Sequence, residues 1–260
     1  MEQVAHHGRE TAYRLVRPEA DGPTALYVHG SGADHRLWTN QYAPTGPFHP
    51  AAALDLSGHG DSGDIDTDAG PETLAAYAED VAAVARRAEA DLLVGTSLGG
   101  AVLLETLLSG RFEPSAAVFA GPGAKLAVHE SIRTMLREDF GAVVETLHTD
   151  SRLLYDADET VRERSRSALR SVGRRVTRRD FETCHRFDAR ERLGTLDVPA
   201  LAVVGEHDSL TPPSYHEYLA DELPDCTLAV VAEAAHLAML EQPAAFNAAV
   251  ETVTDRLPGR

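Results

Sequence analysis

The stretch Ala90-Asp91-Leu92-Leu93-Val94-Gly95-Thr96-Ser97-Leu98-Gly99-Gly100 decides the fold of this chain. The apolar run Leu92–Val94 reads as a buried strand, and Ala101–Leu108 takes over with helical character. Between them Gly95-Thr96-Ser97-Leu98-Gly99 has the form Gly-x-Ser-x-Gly, the pattern of a nucleophile elbow. So sharp a turn strains the backbone of Ser97 and requires small residues two positions to either side, which Gly95 and Gly99 supply. The hydroxyl is lifted clear of the sheet, at the positive end of the following helix. A strand–loop–helix joint with purely structural glycines would carry the same five residues, so the flanking sequence must decide.

Upstream, Leu74–Ala88 has the pattern of an amphipathic helix and Ala51–Leu56 that of a buried strand. The strand runs into Ser57-Gly58-His59-Gly60-Asp61-Ser62-Gly63, where Gly58-x-Gly60-x-x-Gly63 matches the dinucleotide-binding fingerprint letter for letter. No helix pattern opens there. Asp64, Asp66 and Asp68 followed by Gly70-Pro71 make a polar loop that would repel a pyrophosphate, so neither a nicotinamide nor a flavin cofactor is expected. Thr11–Arg17 alternates as a half-exposed strand, and Ala25–Val28 delivers His29-Gly30-Ser31-Gly32 at its end. Parallel sheets keep their binding sites at such tips. His29, Gly30 and Trp38 are therefore candidate substrate contacts, although a lone Trp38 on a short helix also suits the core.

Downstream, Ala116–Ala120 is another strand, stopped by Gly121-Pro122-Gly123. Over residues 124–190 the pattern turns helical, with helices expected at Ile132–Phe140, Ala142–Leu147, Glu159–Val172 and Phe181–Phe187. This segment reads as a helical cap over a core made of residues 1–123 and 191–260. The sheet resumes at Val198–Val204 and ends in Gly205-Glu206-His207-Asp208. Thr227–Val231 leads through Glu233-Ala234-Ala235 to His236, and Asn247–Leu257 closes the chain as a helix.

Alternating strands and helices imply an α/β fold, a mainly parallel sheet covered on both faces. Ser97, Asp208 and His236 each follow a strand, so all three belong at its carboxyl edge, in the order nucleophile, acid, base. A serine hydroxyl is a poor nucleophile until an imidazole takes its proton, and a buried carboxylate must hold that imidazole in the right tautomer. Two converging backbone N–H groups are needed for the oxyanion. Leu98 follows the nucleophile and is the first choice; Ser31 is the second, with Gly32 next.

Five pieces in order carry a resemblance that spans nearly the whole chain: His29-Gly30; Asp55-Leu56-Ser57-Gly58-His59-Gly60-Asp61-Ser62; the elbow; Val204-Gly205-Glu206-His207-Asp208 with Pro212; and His236 with Glu241 and Pro243. The chain resembles the small-capped α/β-hydrolases, which include esterases, enol-lactonases, carbon–carbon bond hydrolases and cofactor-free haloperoxidases. The resemblance implies a cofactor-free serine hydrolase acting on a small ester, lactone or thioester through an acyl-enzyme. It leaves open carbon–carbon cleavage or peracid formation by the same three residues, or a receptor that binds and scarcely turns over. It implies that His29 and His59 brace loops and that no metal is required. Ala235 departs from it, since glycine usually precedes the histidine, and its loop must accommodate a β-carbon.

At 260 residues and 43% apolar content the chain suits one large domain with an insertion. No apolar run approaches the roughly 20 residues of a membrane span, and the first residues lack an export pattern. Cys184 and Cys226 are too few for a metal site or a disulfide framework and are expected to be reduced and partly buried in a cytoplasmic protein. The net charge of −17 argues against nucleic acid and anionic membranes, leaving a small-molecule substrate; nothing indicates the oligomeric state. Lys125 is the one lysine among 24 basic residues. So acid-rich and lysine-poor a composition is expected of a halophilic protein from a salt-loaded cytoplasm, although a GC-rich genome would also replace lysine with arginine and raise alanine. The charge is uneven: residues 124–190 hold 14 basic and 12 acidic residues, leaving 10 and 29 elsewhere. Arg162, Arg166, Arg170, Arg174 and Arg178 recur every four residues, a helical stripe expected to be a solvated face paired with acids such as Glu159 and Glu163. If one end of the stripe faced the cleft, it would grip a substrate carboxylate.

Overall fold

Short apolar runs bounded by glycine, proline or polar residues make the strands, and longer amphipathic runs make the helices. The computed structural model describes residues 1–43, 46, 50–149 and 151–257. It begins with β1 (Glu2–His6), β2 (Arg9–Val16), β3 (Ala25–Val28), α1 (Thr39–Tyr42) and β4 (Ala51–Leu54). Then come α2 (Pro71–Ala88), β5 (Leu92–Thr96), α3 (Leu98–Leu108) and β6 (Ala116–Ala120). The inserted helices are α4 (Glu130–Glu138), α5 (Phe140–Leu147) and α6 (Glu159–Arg186). The chain ends with β7 (Ala200–Gly205), α7 (Pro213–Glu222), β8 (Cys226–Val231), α8 (Ala238–Glu241) and α9 (Pro243–Thr254). The strands form one eight-stranded sheet in the order β1-β2-β4-β3-β5-β6-β7-β8. Only β1 and β2 run antiparallel to their neighbours; from β4 to β8 the pairing is parallel.

The period of two along each central strand sorts its side chains between two cores. Leu26, Val28, Leu93, Ala117 and Phe119 face α2 and α3, where they pack with Tyr77, Val81 and Val102. Ala25, Tyr27, Leu92, Val94 and Val118 face the other way, onto Trp38, Phe246 and Val250. A strand buried on both faces can be apolar throughout, which is why Leu92–Val94 shows no alternation.

Between β6 and β7 the chain leaves the sheet and returns beside its point of exit. Lys125 pairs antiparallel with Asp188, and the Ala189 N–H donates to the Ala124 carbonyl at 2.8 Å. Within the excursion, Ile132, Leu136, Val143, Val144, Leu147 and Leu169 form a small core of their own. The long α6 breaks at Gly173 (φ 82°, ψ 165°), a conformation that glycine adopts without a β-carbon clash. Its second half is longer than the Phe181–Phe187 helix that the sequence suggests, and it lies against α2 with Arg179 and Asp180 buried. Half of this helix therefore belongs to the packing of the sheet domain. Among the described residues no helix is long and apolar enough to cross a membrane.

Candidate active site

The elbow is a backbone device. Ser97 sits at φ 53° and ψ −119° between β5 and α3, a conformation costing a residue with a side chain roughly 1–3 kcal/mol. A β-carbon on Gly95 would lie 2.7 Å from the Gly99 carbonyl oxygen, and one on Gly99 would lie 2.5 Å from the carbonyl oxygens of Val28 and His29. Both obstacles are backbone, so both positions require glycine. The Ser97 N–H donates to the Ala120 carbonyl at 2.9 Å, fixing the turn to the next strand. Gly30 packs on it from the other side, where a β-carbon would come 3.1 Å from the Ser97 β-carbon.

Asp208 and His236 follow β7 and β8, and they meet. The His236 Nδ1–H donates to Asp208 Oδ2 at 2.8 Å. The other carboxylate oxygen accepts the N–H groups of Leu210 and Thr211, each at 2.9 Å. Thr211 Oγ1 lies 2.7 Å from the Gly121 carbonyl and 2.9 Å from Asp208 Oδ2, and its one proton can be donated to either. Burial opposes ionisation of Asp208, but the charge and hydrogen bond of His236, with the donors of Thr211, outweigh it and hold the carboxyl below the usual aspartate range. Ala235 is accommodated because its φ is not positive; its N–H donates to Glu241 Oε2 at 2.8 Å. Glu241 Oε1 also accepts the N–H groups of Tyr155 and Asp156, at 2.7 and 3.0 Å.

Ser97 and His236 open onto one cavity of about 970 Å³ between the sheet edge and the inserted helices. Gly30 and Ser31 also line it. Leu98 buries its side chain in the core, and as the first residue of α3 its N–H has no partner within the helix. Trp38 does not meet the cavity. It is 0% exposed and packs between the tilted rings of Tyr27 and Phe246, with centroids 5.1 and 5.9 Å away, so the expectation that it contacts substrate is corrected. His29 likewise lies behind the wall, fully buried. Its Nδ1–H donates to the Gly30 carbonyl at 2.7 Å and its Nε2 accepts the Leu56 N–H at 3.0 Å. Burial and the nearby His59 push its pKa down to about 4, so it braces the loop as a neutral imidazole.

The sequence reading missed Asp180. This fully buried carboxylate, on the second half of α6, accepts from the Ser31 hydroxyl at 2.7 Å, the Tyr77 hydroxyl at 2.6 Å and His59 Nε2 at 3.0 Å. Burial disfavours a charged His59, but the Asp180 carboxylate outweighs it and raises the imidazole's pKa. Stability from this pair is therefore complete below the ordinary histidine range and is lost as pH rises through the raised value. Removing one member of such a pair strands the other, so Asp180→Ala should destabilise the fold by about 3–5 kcal/mol. Urea unfolding checks this; a variant as stable as the parent would show that the network carries no weight.

The loop with Gly58, Gly60 and Gly63 closes on itself. The Gly58 N–H donates to the Gly63 carbonyl at 2.9 Å, and Asp55 accepts the Asp61 N–H at 3.0 Å. Among the described residues, Asp34, His35 and Asp55 alone bring three ligand-type atoms within 4.8 Å of one another. Arg36 already engages Asp34, and His35 engages Asp55.

The arginine stripe faces away from the cavity. Arg166 pairs with Glu159 at 2.7 Å and Arg170 with Glu145 at 2.9 Å, while Arg162 and Arg174 donate to backbone carbonyls.

A family model described as the alpha/beta hydrolase family matches residues 25–249. The chain is 30% identical to a pimeloyl-[acyl-carrier protein] methyl ester esterase of Neisseria meningitidis, over 92% of this chain and 95% of that one. It is 24% identical to a 3-oxoadipate enol-lactonase of Acinetobacter baylyi, over 92% and 91%. A solved thermophilic esterase superposes with a TM-score of 0.85 at 28% identity, covering 100% of this chain and 98% of that one. With the elbow, the sheet order and a match over most of its length, this chain belongs to the alpha/beta hydrolase family.

Proposed function

We propose that the chain is a serine hydrolase of small carboxylic esters, lactones or thioesters that works through an acyl-enzyme. The observation that carries this reading is the shared cavity of Ser97, held at φ 53°, and His236, whose Nδ1–H is bound by the buried Asp208. With Nδ1 committed to the carboxylate, His236 presents Nε2 as a base to the serine proton. Ser97 Oγ attacks the substrate carbonyl as His236 takes that proton. The oxyanion accepts the N–H groups of Leu98 and Ser31, the first at the positive end of α3. His236⁺ then protonates the leaving alkoxide or thiolate, and the acyl group remains on Ser97. Water, deprotonated by the same imidazole, releases the acid. The chemistry needs no metal or cofactor, since the carbonyl is polarised by backbone N–H groups. The names of the esterase and enol-lactonase relatives support the same bond type.

Pre-steady-state mixing with short p-nitrophenyl esters tests the reading. It predicts a burst of p-nitrophenol close to one per protein when deacylation is slower than acylation, and a covalent acyl adduct by intact mass. No hydrolysis across esters, thioesters and lactones would overturn it.

A further inference from the structure

We infer that the preferred substrate carries a second, anionic carboxylate beside the scissile ester or lactone, gripped by Arg152 and Arg164. The inference rests on the hydrolase reading above. Among the described residues, the wall of the cavity holds four formally charged side chains besides the titratable His129 and His236: Asp34, Arg36, Arg152 and Arg164. Asp34 and Arg36 neutralise each other through contacts of 2.5–3.1 Å. Arg152 and Arg164 make no ion pair among the described residues, whereas the stripe arginines Arg166 and Arg170 each reach glutamates. Asp158, which Arg164 meets only at longer range, is already occupied in capping α6 through the Val161 N–H. Among the described residues, the cavity wall of a chain with net charge −17 thus holds two arginines outside any ion pair and no carboxylate outside one. Walls of low dielectric focus such a field on whatever enters.

The placement fits a substrate anion. Segment 151–153 is stapled to the loops that carry Asp208 and His236. The Ser209 hydroxyl donates to the Ser151 carbonyl at 2.5 Å, and the N–H groups of His236 and Leu237 donate to the carbonyls of Arg152 and Leu153 at 3.4 and 3.0 Å. The backbone of Arg152 is therefore anchored to that of His236, and both side chains line the cavity. Arg164 comes from α6, whose Leu169 packs on Gly32 in the loop across the cleft; five residues along a helix is about 7.5 Å. Guanidinium groups present paired N–H donors that match a carboxylate. A small dicarboxylic half-ester, or a lactone with a free carboxylate, would place its ester at Ser97 and its anion under these two side chains.

The test is kcat/KM per ester bond for monomethyl and dimethyl glutarate at constant ionic strength, in the parent and in Arg152→Gln, Arg164→Gln and the double variant. The parent should favour the half-ester by about 10-fold or more, the worth of a charge-assisted pair of hydrogen bonds. The double variant should lose that preference, while Arg178→Gln, an exposed control for net charge outside the cavity wall, should keep it. A parent that favours the diester, or a preference that survives in the double variant, overturns the inference and leaves the hydrolase reading standing. If neither these esters nor any of the p-nitrophenyl esters, thioesters and lactones is turned over, it is the hydrolase reading that fails. Calorimetric titration of Ser97→Ala with monomethyl glutarate then decides the inference alone: binding lost on adding both arginine substitutions supports it, and binding absent or insensitive to them refutes it.

Discussion

Ser97→Ala should lower kcat by roughly five to six orders of magnitude on any ester the protein hydrolyses, the scale seen when a nucleophile that acts with its base is removed. Oxyanion donors and substrate contacts alone leave only about 10³–10⁴-fold over the uncatalysed reaction. The fold should be indifferent to the change. The turn is held by the Ser97 N–H on Ala120 at 2.9 Å and by glycine clearances on either side, and none of these uses the hydroxyl. Alanine inherits the same backbone strain, so the melting temperature should stay near that of the parent. Steady-state kinetics with thermal unfolding checks both halves. A variant that keeps even a hundredth of the activity would mean that another group attacks the carbonyl.

Asp208→Asn should cost about four orders of magnitude in kcat by inverting the tautomer of His236. Asparagine can keep its oxygen toward the N–H groups of Leu210 and Thr211, which already donate to Oδ1 at 2.9 Å. Its NH2 then faces His236 Nδ1, now 2.8 Å from Oδ2, and Nδ1 must become an acceptor. The proton moves to Nε2, which can no longer take one from Ser97. Thr211 turns to the Gly121 carbonyl at 2.7 Å, so the loop survives. The depressed pKa of the native carboxyl gives the same arrangement a pH signature. The stability that Asp208 contributes is complete above the ordinary aspartate range and is lost as pH falls through its lowered value. Activity within tenfold of the parent in the asparagine variant would show that a different group orients the histidine.

What was legible in the sequence is what local geometry dictates. The elbow announces itself because backbone crowding admits only glycine at 95 and 99. The apolar strands before Ser97 and Asp208 can be buried only in a sheet covered on both faces, whereas the edge strand before His236 leaves Leu228 and Val230 exposed. The β1 strand was not legible: Glu2–His6 is mostly exposed, so no burial pattern marks it. Asp180 was hidden for another reason. Its partners Ser31, His59 and Tyr77 lie 149, 121 and 103 residues away in sequence, and locally it looks like one more charge in a polar helix. The arginine stripe shows where helical periodicity runs out. Spacing tells which side chains share a face, but whether that face meets the cavity depends on how α6 docks. Trp38 illustrates the same limit, since a short turn after a strand tip can present its indole to a pocket or to the core with equal local sense.

Covalent labelling with a fluorophosphonate tests the central claim most directly, because phosphonylation requires a serine activated by its own base beside an oxyanion site. The reading of Ser97 and His236 predicts one phosphonyl adduct per protein by intact mass, mapped by peptide sequencing to Ser97 and absent from Ser97→Ala. An adduct mapped to another residue, or one that persists in Ser97→Ala, would contradict it.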